Sequence, residues 1–417
     1  MATVSATSAK TADRSLTVDE ALERILGGVP SLPPHEVALL DALGAVLAED
    51  AVAVHDVPPF TNSAMDGYAV RGEDVATAPA RLRVVGDIAA GAYPSELVGP
   101  GEAMRIMTGA PMPDGADTVV RVEDTDNGMD VVTIKRATER GLSVRGRGED
   151  LRVGEVVIPR GTVLRPAEIG VLATTGRPRV RVVRRPRVAV LSTGDEVVEL
   201  DAPIHPGQIR DANRYSLSAA VGAAGCVAWT LGIVGDTPEA LRAALRDASS
   251  ADAVVTSGGV SVGDHDHVKP VVSEMGTMDF WSIAIRPGRP LAFGELRDGP
   301  RRVPIFGLPG NPVSSLLTFE LFVRPALLRM AGHANVARPR ARARLLERVD
   351  KPAQLRFFAR GIHDASDDTV RTTGPQGSGI LRSMSLANCL IDLPPGRERH
   401  EPGETVDLIL TDQPEAR

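Results

Sequence analysis

The sequence predicts a multi-domain α/β protein built around a largely parallel sheet covered by helices. Three observations carry that reading. From Arg187 to Arg329, continuous apolar runs alternate with helical patterns, as βαβ units do. From Val57 to about Arg140, short apolar runs alternate with Gly and Pro, the texture of a β-rich module. After Gly332, an Arg-rich stretch over Arg338–Arg360 leads into short strand-like runs that end at Thr405–Leu410. A chain of 417 residues has room for two to four domains of roughly 100–200 residues each.

Residues 1–14 are small and polar and read as a disordered N-terminus. Thr17–Leu26 spaces its apolar residues for a helix, and Thr17 with Glu20 fits a capping box at its start. His35–Leu47 shows the same helical spacing. Leu142–Pro186 is rich in Gly, Arg and Pro. It predicts one helix over Ala167–Thr174 and reads as a connector that folds back on the first helices. Val188–Leu191, Val227–Val234, Ala253–Thr256 and Val303–Leu308 then read as buried strands. The helices between and after them are Ser216–Ala224, Glu239–Ala248 and Val313–Arg329. In open sheets of this kind, ligands sit beyond the carboxyl ends of the strands. Those ends are STGDE, GDTP, SGGVSVGD and GLPGNP.

Composition narrows the function classes. Net charge is −7, whereas a general nucleic-acid binder is basic. Aromatic residues are only 3%, too few for a platform that stacks bases. Cys226 and Cys389 form no CxxC pair, which excludes a Cys-rich zinc site and suits reduced, buried thiols. There is no run of 18 apolar residues and no apolar leader near the first residue. The expectation is a soluble, cytoplasmic protein that binds neither nucleic acid nor membrane.

Residues able to do chemistry gather at the strand ends. Ser257, Gly258, Gly259 and Ser261 follow a buried strand, where backbone N–H groups can turn toward an anion; a tight turn needs the same glycines. Asp264, His265, Asp266 and His267 alternate acid and histidine without the spacing of a helical metal pair. An acid-rich helix start accounts for the histidines, while Asp266 points at the same strand end as the other carboxylates. Ser192–Glu196 suits a hydrated divalent metal or a helix cap. Asp236 reads as the N-cap of the next helix, and a cap can also face a ligand. Pro309 and Pro312 stiffen the loop around Gly310. Arg286 and Arg289 flank a Pro-Gly turn and suit an oxyanion, or are surface charge. In the β-rich module, Asn62, Ser63, Asp66 and Thr108 sit in polar loops. No Ser-His-Asp or Cys-His nucleophile is legible. The residues alone support metal-dependent phosphoester or nucleotide chemistry in an α/β crevice.

Eight motifs, in order, go further: PPFTNSAMDGYAV, RIMTGAPMPDGADTVV, RGRGEDLRVGE, LSTGDE, GQIRDANRY, TSGGVSVGDHD, AIRPGRPLAFG and GLPGNPVSS. Together, from about residue 17 onward, they resemble the molybdopterin molybdenumtransferase family, the MoeA type that includes the E domain of gephyrin. The resemblance implies four domains. These are an elongated linker-like domain (15–56 with 145–185), a β-rich domain (57–144), a three-layer molybdopterin-binding α/β domain (186–332) and a C-terminal β-barrel (335–417). It also implies a homodimer whose active site joins the α/β domain of one subunit to the β-rich domain of the other. The implied substrates are adenylylated molybdopterin and molybdate, with Mg2+ as the metal. The adenylyl bond is hydrolysed, AMP leaves, and molybdenum enters the dithiolene.

Carried over by motif, Asp66, Thr108, Glu196, Asp236 and Asp266 are the implied catalytic residues. Glu196, Asp236 and Asp266 hold Mg2+, with Asp150 as a further metal ligand. Ser257, Gly258, Gly259, Ser261, Pro309, Gly310 and Pro312 bind the pterin substrate. Lys269, Arg286 and Arg289 bind its anionic groups or molybdate, and Ser383 contributes from the barrel. Ser282 and Arg286 stand where this family often has lysine, which shifts weight to Arg286 and Arg289. His265 and His267 receive no role. Other proteins of molybdenum-cofactor biosynthesis are the implied partners. Two alternatives remain open at this point. One is molybdopterin adenylylation, an activity of a smaller single α/β domain, against which the extra domains argue. The other is a non-enzymatic scaffold, as in gephyrin, for which this chain lacks a long linker and a second α/β domain.

Overall fold

A computed structural model describes residues 15–258 and 268–411. They divide into two compact units. The smaller comprises residues 36–43 and 47–181, and the larger comprises 15–35, 44–46 and 182–411. The expected disordered segment 1–14 lies outside the described residues.

Helix α1 (Val18–Gly28) opens as its capping box predicts. The Thr17 hydroxyl accepts from the Glu20 amide, and the Glu20 carboxylate accepts from the Thr17 amide. Ala21 and Ile25, four residues apart, share its buried face. The helix expected over His35–Leu47 does not form. Pro34–Ala38 is a short strand and Leu39–Ala42 a single 3-10 turn. Leu40 is 79% exposed and Leu43 50%, so the helical spacing has no core to face. Pro33 and Pro34 also bias the entry toward extended backbone.

The smaller unit is β-rich, as predicted. Its main sheet contains β1 (Gly67–Val70), β2 (Ala80–Ile88), β3 (Glu102–Ile106), β4 (Thr118–Arg121) and β5 (Val131–Ile134), in the order β4-β1-β3-β2-β5. Successive residues feed opposite faces: Tyr68 and Val70 join one core, Ala69 the other. Helix α2 (Pro166–Thr174) stands where its pattern placed it.

The larger unit holds a mixed six-stranded sheet. Its strands are β6 (Arg187–Thr193), β7 (Val227–Val234), β8 (Ala253–Ser257), β9 (Gly276–Ser282), β10 (Pro290–Asp298) and β11 (Arg301–Leu308). Their order is β7-β6-β8-β11-β10-β9, with the first four parallel and β10 antiparallel to both of its neighbours, β11 and β9. Helices cover both faces. Val188 and Val190 of β6 pack with Leu217 of α3 (Ala212–Ala223) and Leu317 of α6 (Pro312–Thr318). Ala189 and Leu191 pack with Leu245 of α4 (Pro238–Ala248) and Val272 of α5 (Val268–Met275). That is a three-layer α/β/α arrangement, and it explains why β6 reads as one unbroken apolar run. The long helix expected from Val313 continues through a π-helical turn at Phe319–Val323 into α7 (Arg324–Met330). The π turn precedes Pro325, which has no N–H for the regular ladder.

Beyond it, β12 (Arg340–Leu345), β13 (Arg356–Asp364), β14 (Thr369–Thr372), β15 (Cys389–Leu393) and β16 (Thr405–Leu410) close into a barrel. The ring runs β13-β14-β12-β16-β15 and back to β13. Closure leaves no unpaired edge within the ring. Phe357 and Ala359 fill the barrel, while Phe358 between them packs into the core of the α/β layers. No helix among the described residues is long and apolar enough to cross a membrane.

Candidate functional site

Parallel strands end at one edge of their sheet, and here three of those ends meet helix α3 in a cleft of about 150 Å³. Ser192 and Thr193 come from β6, Ser257 and Gly258 from β8, and Gly310 and Pro312 from the loop after β11. Glu196 lines the cleft and is exposed.

Buried polar contacts fix the α3 corner. Asp211 caps α3, accepting from the Arg214 amide at 3.0 Å and from the Ser192 hydroxyl at 2.9 Å. Arg214 Nε lies 3.1 Å from Asp211 Oδ2, and Arg214 Nη2 donates to Glu199 at 2.5 Å. Asn213 donates to Ser257 Oγ and to the Gly310 carbonyl, both at 2.7 Å. Gly258 has φ of 91°, and a Cβ there would lie 2.9 Å from the Thr193 carbonyl oxygen. Both conformation and space therefore require glycine at this turn.

Several expected residues thus converge: Glu196, Ser257, Gly258, Gly310 and Pro312 line one cleft, with Pro309 buried in the same loop. Asp236 is exposed after β7, and its amide donates to Asp195 at 3.4 Å, which draws the ends of β6 and β7 together. The cap of α4 is Thr237 rather than Asp236. The Thr237 hydroxyl accepts from the Ala240 amide at 3.3 Å. A cap side chain bonds the amide three residues on, and with the helix starting at Pro238 that reach belongs to residue 237. Gly259, Ser261, His265, Asp266 and His267 lie outside the described residues, as does the Lys269 side chain.

Arg286 and Arg289 are both exposed, on either side of Pro287-Gly288. Ile285–Arg286 pairs with Arg356–Phe357 of β13, so the backbone of Arg286 is fixed by the barrel. Arg289 Nε donates to Ser282 Oγ at 2.9 Å, and Ser282 Oγ is also 2.9 Å from Ser15 Oγ. Ser282 thus orients Arg289.

Ser383 is buried in a short helix, Arg382–Leu386, before β15. It accepts from Arg360 Nε at 3.0 Å and donates to the Ile380 carbonyl at 2.6 Å. Arg360 is fully buried, and burial pushes its guanidinium down to about 10. Arg360 Nη2 also donates to the Gly377 carbonyl at 3.1 Å, and the adjacent Ser378 carbonyl accepts from the Val313 amide at 3.1 Å. Sequence reasoning missed Arg360, because an Arg-rich stretch does not reveal which arginine turns inward.

In the smaller unit, Asp66 and Thr108 meet. Asp66 Oδ1 accepts from the Thr108 amide at 2.7 Å and its hydroxyl at 2.8 Å. These bonds hold the carboxyl below its ordinary value. Asp150 is exposed, and its amide donates to the Val57 carbonyl at 2.9 Å.

Among the described residues, no three His, Cys, Asp or Glu side chains stand close enough to hold a metal. Mg2+ does not need such a cage. It keeps several waters and takes one or two carboxylates plus substrate phosphates. Glu196 and Asp236, exposed at neighbouring strand ends, fit that donor set. A larger hollow of about 610 Å³ contains none of the expected residues. Its Arg184 and Arg302 are paired with Asp252 and Glu295.

Known families match the chain in three stretches. A family model described as the MoeA N-terminal region (domain I and II) matches residues 16–176. One described as a probable molybdopterin binding domain matches 189–329, and one described as the MoeA C-terminal region (domain IV) matches 342–411. Molybdopterin molybdenumtransferase 2 of Mycobacterium tuberculosis is 40% identical over 372 residues, covering 87% of this chain and 91% of that protein. The molybdopterin molybdenumtransferase of Haemophilus influenzae is 37% identical over 400 residues, covering 94% and 98%. The crystal structure of the molybdopterin biosynthesis moeA protein from Pyrococcus horikoshii superposes with a TM-score of 0.81 at 29% identity, covering 95% and 100%. With identity of this level along nearly its whole length, the chain belongs to the molybdopterin molybdenumtransferase family.

Proposed function

We propose that the protein acts in molybdenum cofactor biosynthesis, inserting molybdenum from molybdate into the dithiolene of adenylylated molybdopterin with release of AMP. The observation that supports this best is the strand-end cleft. In a chain of this family, it combines a glycine turn, a loop stiffened by two prolines and an exposed carboxylate. A pterin that carries phosphates calls for that combination.

In this reading, Ser257 and Gly258, together with Gly259 and Ser261, hold the phosphates. The loop of Pro309, Gly310 and Pro312 presents a rigid backbone edge to the planar pterin. Arg286, Arg289 and Lys269 hold molybdate, a tetrahedral dianion that guanidinium groups grip well. Arg360 holds Ser383 at the barrel side. Glu196, Asp236 and Asp266, with Asp150 as a further ligand, would hold Mg2+, which when bound would offset charge on the phosphoanhydride. Water adds to that anhydride, the P–O bond breaks, and the proton of the water goes to the separating phosphates. AMP and the pterin phosphate then part. The two dithiolene sulfurs bind molybdenum as one Mo–O bond of molybdate breaks; that oxygen leaves as water with the two thiol protons, no electrons change hands, and the chemistry is the substrate's own.

The same reading makes the active protein a cytoplasmic homodimer. The β-rich domain of one subunit, with Asp66 and Thr108, completes the α/β cleft of the other. The four-domain division of the chain and contacts with other molybdenum-cofactor proteins belong to it as well. Purified protein given adenylylated molybdopterin, molybdate and Mg2+ is expected to release AMP. ATP-dependent adenylylation of molybdopterin without AMP release from the adenylylated substrate would sink the proposal.

A further inference from the structure

We infer that Asn213 is a positioning residue of the cleft. It ties the end of β8 to the Gly310 loop and makes the Ser257 hydroxyl a donor toward a phosphate oxygen of the substrate. The inference rests on the proposed function for the identity of that substrate.

The orientation of the Asn213 amide follows from its partners. The Gly310 carbonyl can only accept, so the nitrogen of the amide must face it. The same nitrogen lies 2.7 Å from Ser257 Oγ, so each of its two protons has one acceptor. Ser257 therefore receives a hydrogen bond on oxygen and keeps its own proton. Ser257 lines the cleft and is 3% exposed. Among the described residues, no acceptor takes the Ser257 proton, and a buried hydroxyl proton is costly to leave unused.

Asn213 can do this because its own place is fixed. It is the second residue of α3, and Asp211 pins that helix start to Ser192 of β6. Two residues, Asp211 and Asn213, thus connect β6, β8 and the Gly310 loop. The motif GQIRDANRY gives no hint of this, since the partners of Asn213 are 44 and 97 positions away.

The test uses full-length protein carrying Asn213→Asp, Ser257→Ala or both. An aspartate carboxylate only accepts, so it takes the Ser257 proton and repels the Gly310 carbonyl. Each single change is expected to lower kcat/KM for adenylylated molybdopterin by about tenfold or more, the scale of one lost buried hydrogen bond. The KM for molybdate should stay unchanged. The double variant should be no worse than the poorer single one. Losses that multiply in the double variant would overturn the donor role. Separately, Asn213→Ala should speed amide exchange at Gly310 and Asn311 while leaving α4 unchanged, and unaltered exchange there would overturn the tie. Exchange needs no substrate. A wild-type protein that turns over no adenylylated molybdopterin would remove the donor role along with the proposed function, while exchange still decides the tie.

Discussion

One oxygen of Asp66 takes both the backbone amide and the hydroxyl of Thr108, at 2.7 and 2.8 Å. The two residues are 42 positions apart and belong to different loops of the β-rich unit. A carboxylate held this way is oriented, and its charged form is favoured.

Thr108→Val keeps the amide and removes the hydroxyl. The Asp66 carboxyl, now lowered by the Thr108 amide and then by the hydroxyl, should move back toward 3.8. The sign follows from linkage. A lowered carboxyl contributes stability above its unfolded value and loses it as pH falls through the folded one. Wild type should therefore be more stable than the variant above about pH 4, and the difference should vanish as pH falls through the folded value. NMR titration of the Asp66 carboxyl checks this, and an unmoved titration would count against the hydroxyl contact.

Asp66→Ala and Glu196→Ala should each abolish most AMP release while leaving the fold intact. Mixed and allowed to exchange subunits, the two variants should recover part of the activity, because one heterodimer site then has both residues. Absence of rescue with exchange verified would mean that each site is built within one chain.

Cys226 is buried, and desolvation pushes its thiol up to about 12 from 9.0. In the folded protein it should resist thiol reagents at pH 8 and react only on unfolding. The unfolded thiol ionises first, so stability falls as pH rises from 9 toward 12. Cys226→Ala should lose that component of the alkaline decline, measured as the difference between the two urea-denaturation profiles.

Arg184 makes two hydrogen bonds to Asp252, at 2.7 and 2.6 Å, and Asp252 also accepts from the Arg187 amide. Arg184→Ala leaves a carboxylate whose side chain is only 5% exposed. Breaking a fully buried pair costs about 3–5 kcal/mol. Arg184 is 39% exposed, so solvent screening lowers the expected loss to about 2 kcal/mol in urea denaturation.

The legible parts of this chain share a cause. β6, β8 and β11 read as strands because both faces are covered and each has an unbroken apolar run, such as Val188–Leu191 of β6. α1 was legible from Thr17 and Glu20, whose partners lie within one turn. His35–Leu47 misled because apolar spacing reports what a helix would bury, and Leu40 and Leu43 bury nothing as a helix face. Asp236 and Thr237 both suit a cap, and one residue of register separated them.

By itself, the sequence determined which segments become strands and helices of the α/β layers, the β texture of the two flanking regions and the family. Each of these rests on local periodicity, turn chemistry or motif order, all written within a few residues. Tertiary structure decided how the strand ends share a cleft, which arginine of the barrel is buried, and that Asn213 joins Ser257 to Gly310. Those facts depend on chain closure over many residues, where a hydrogen bond of 2.7 Å leaves no trace in local composition.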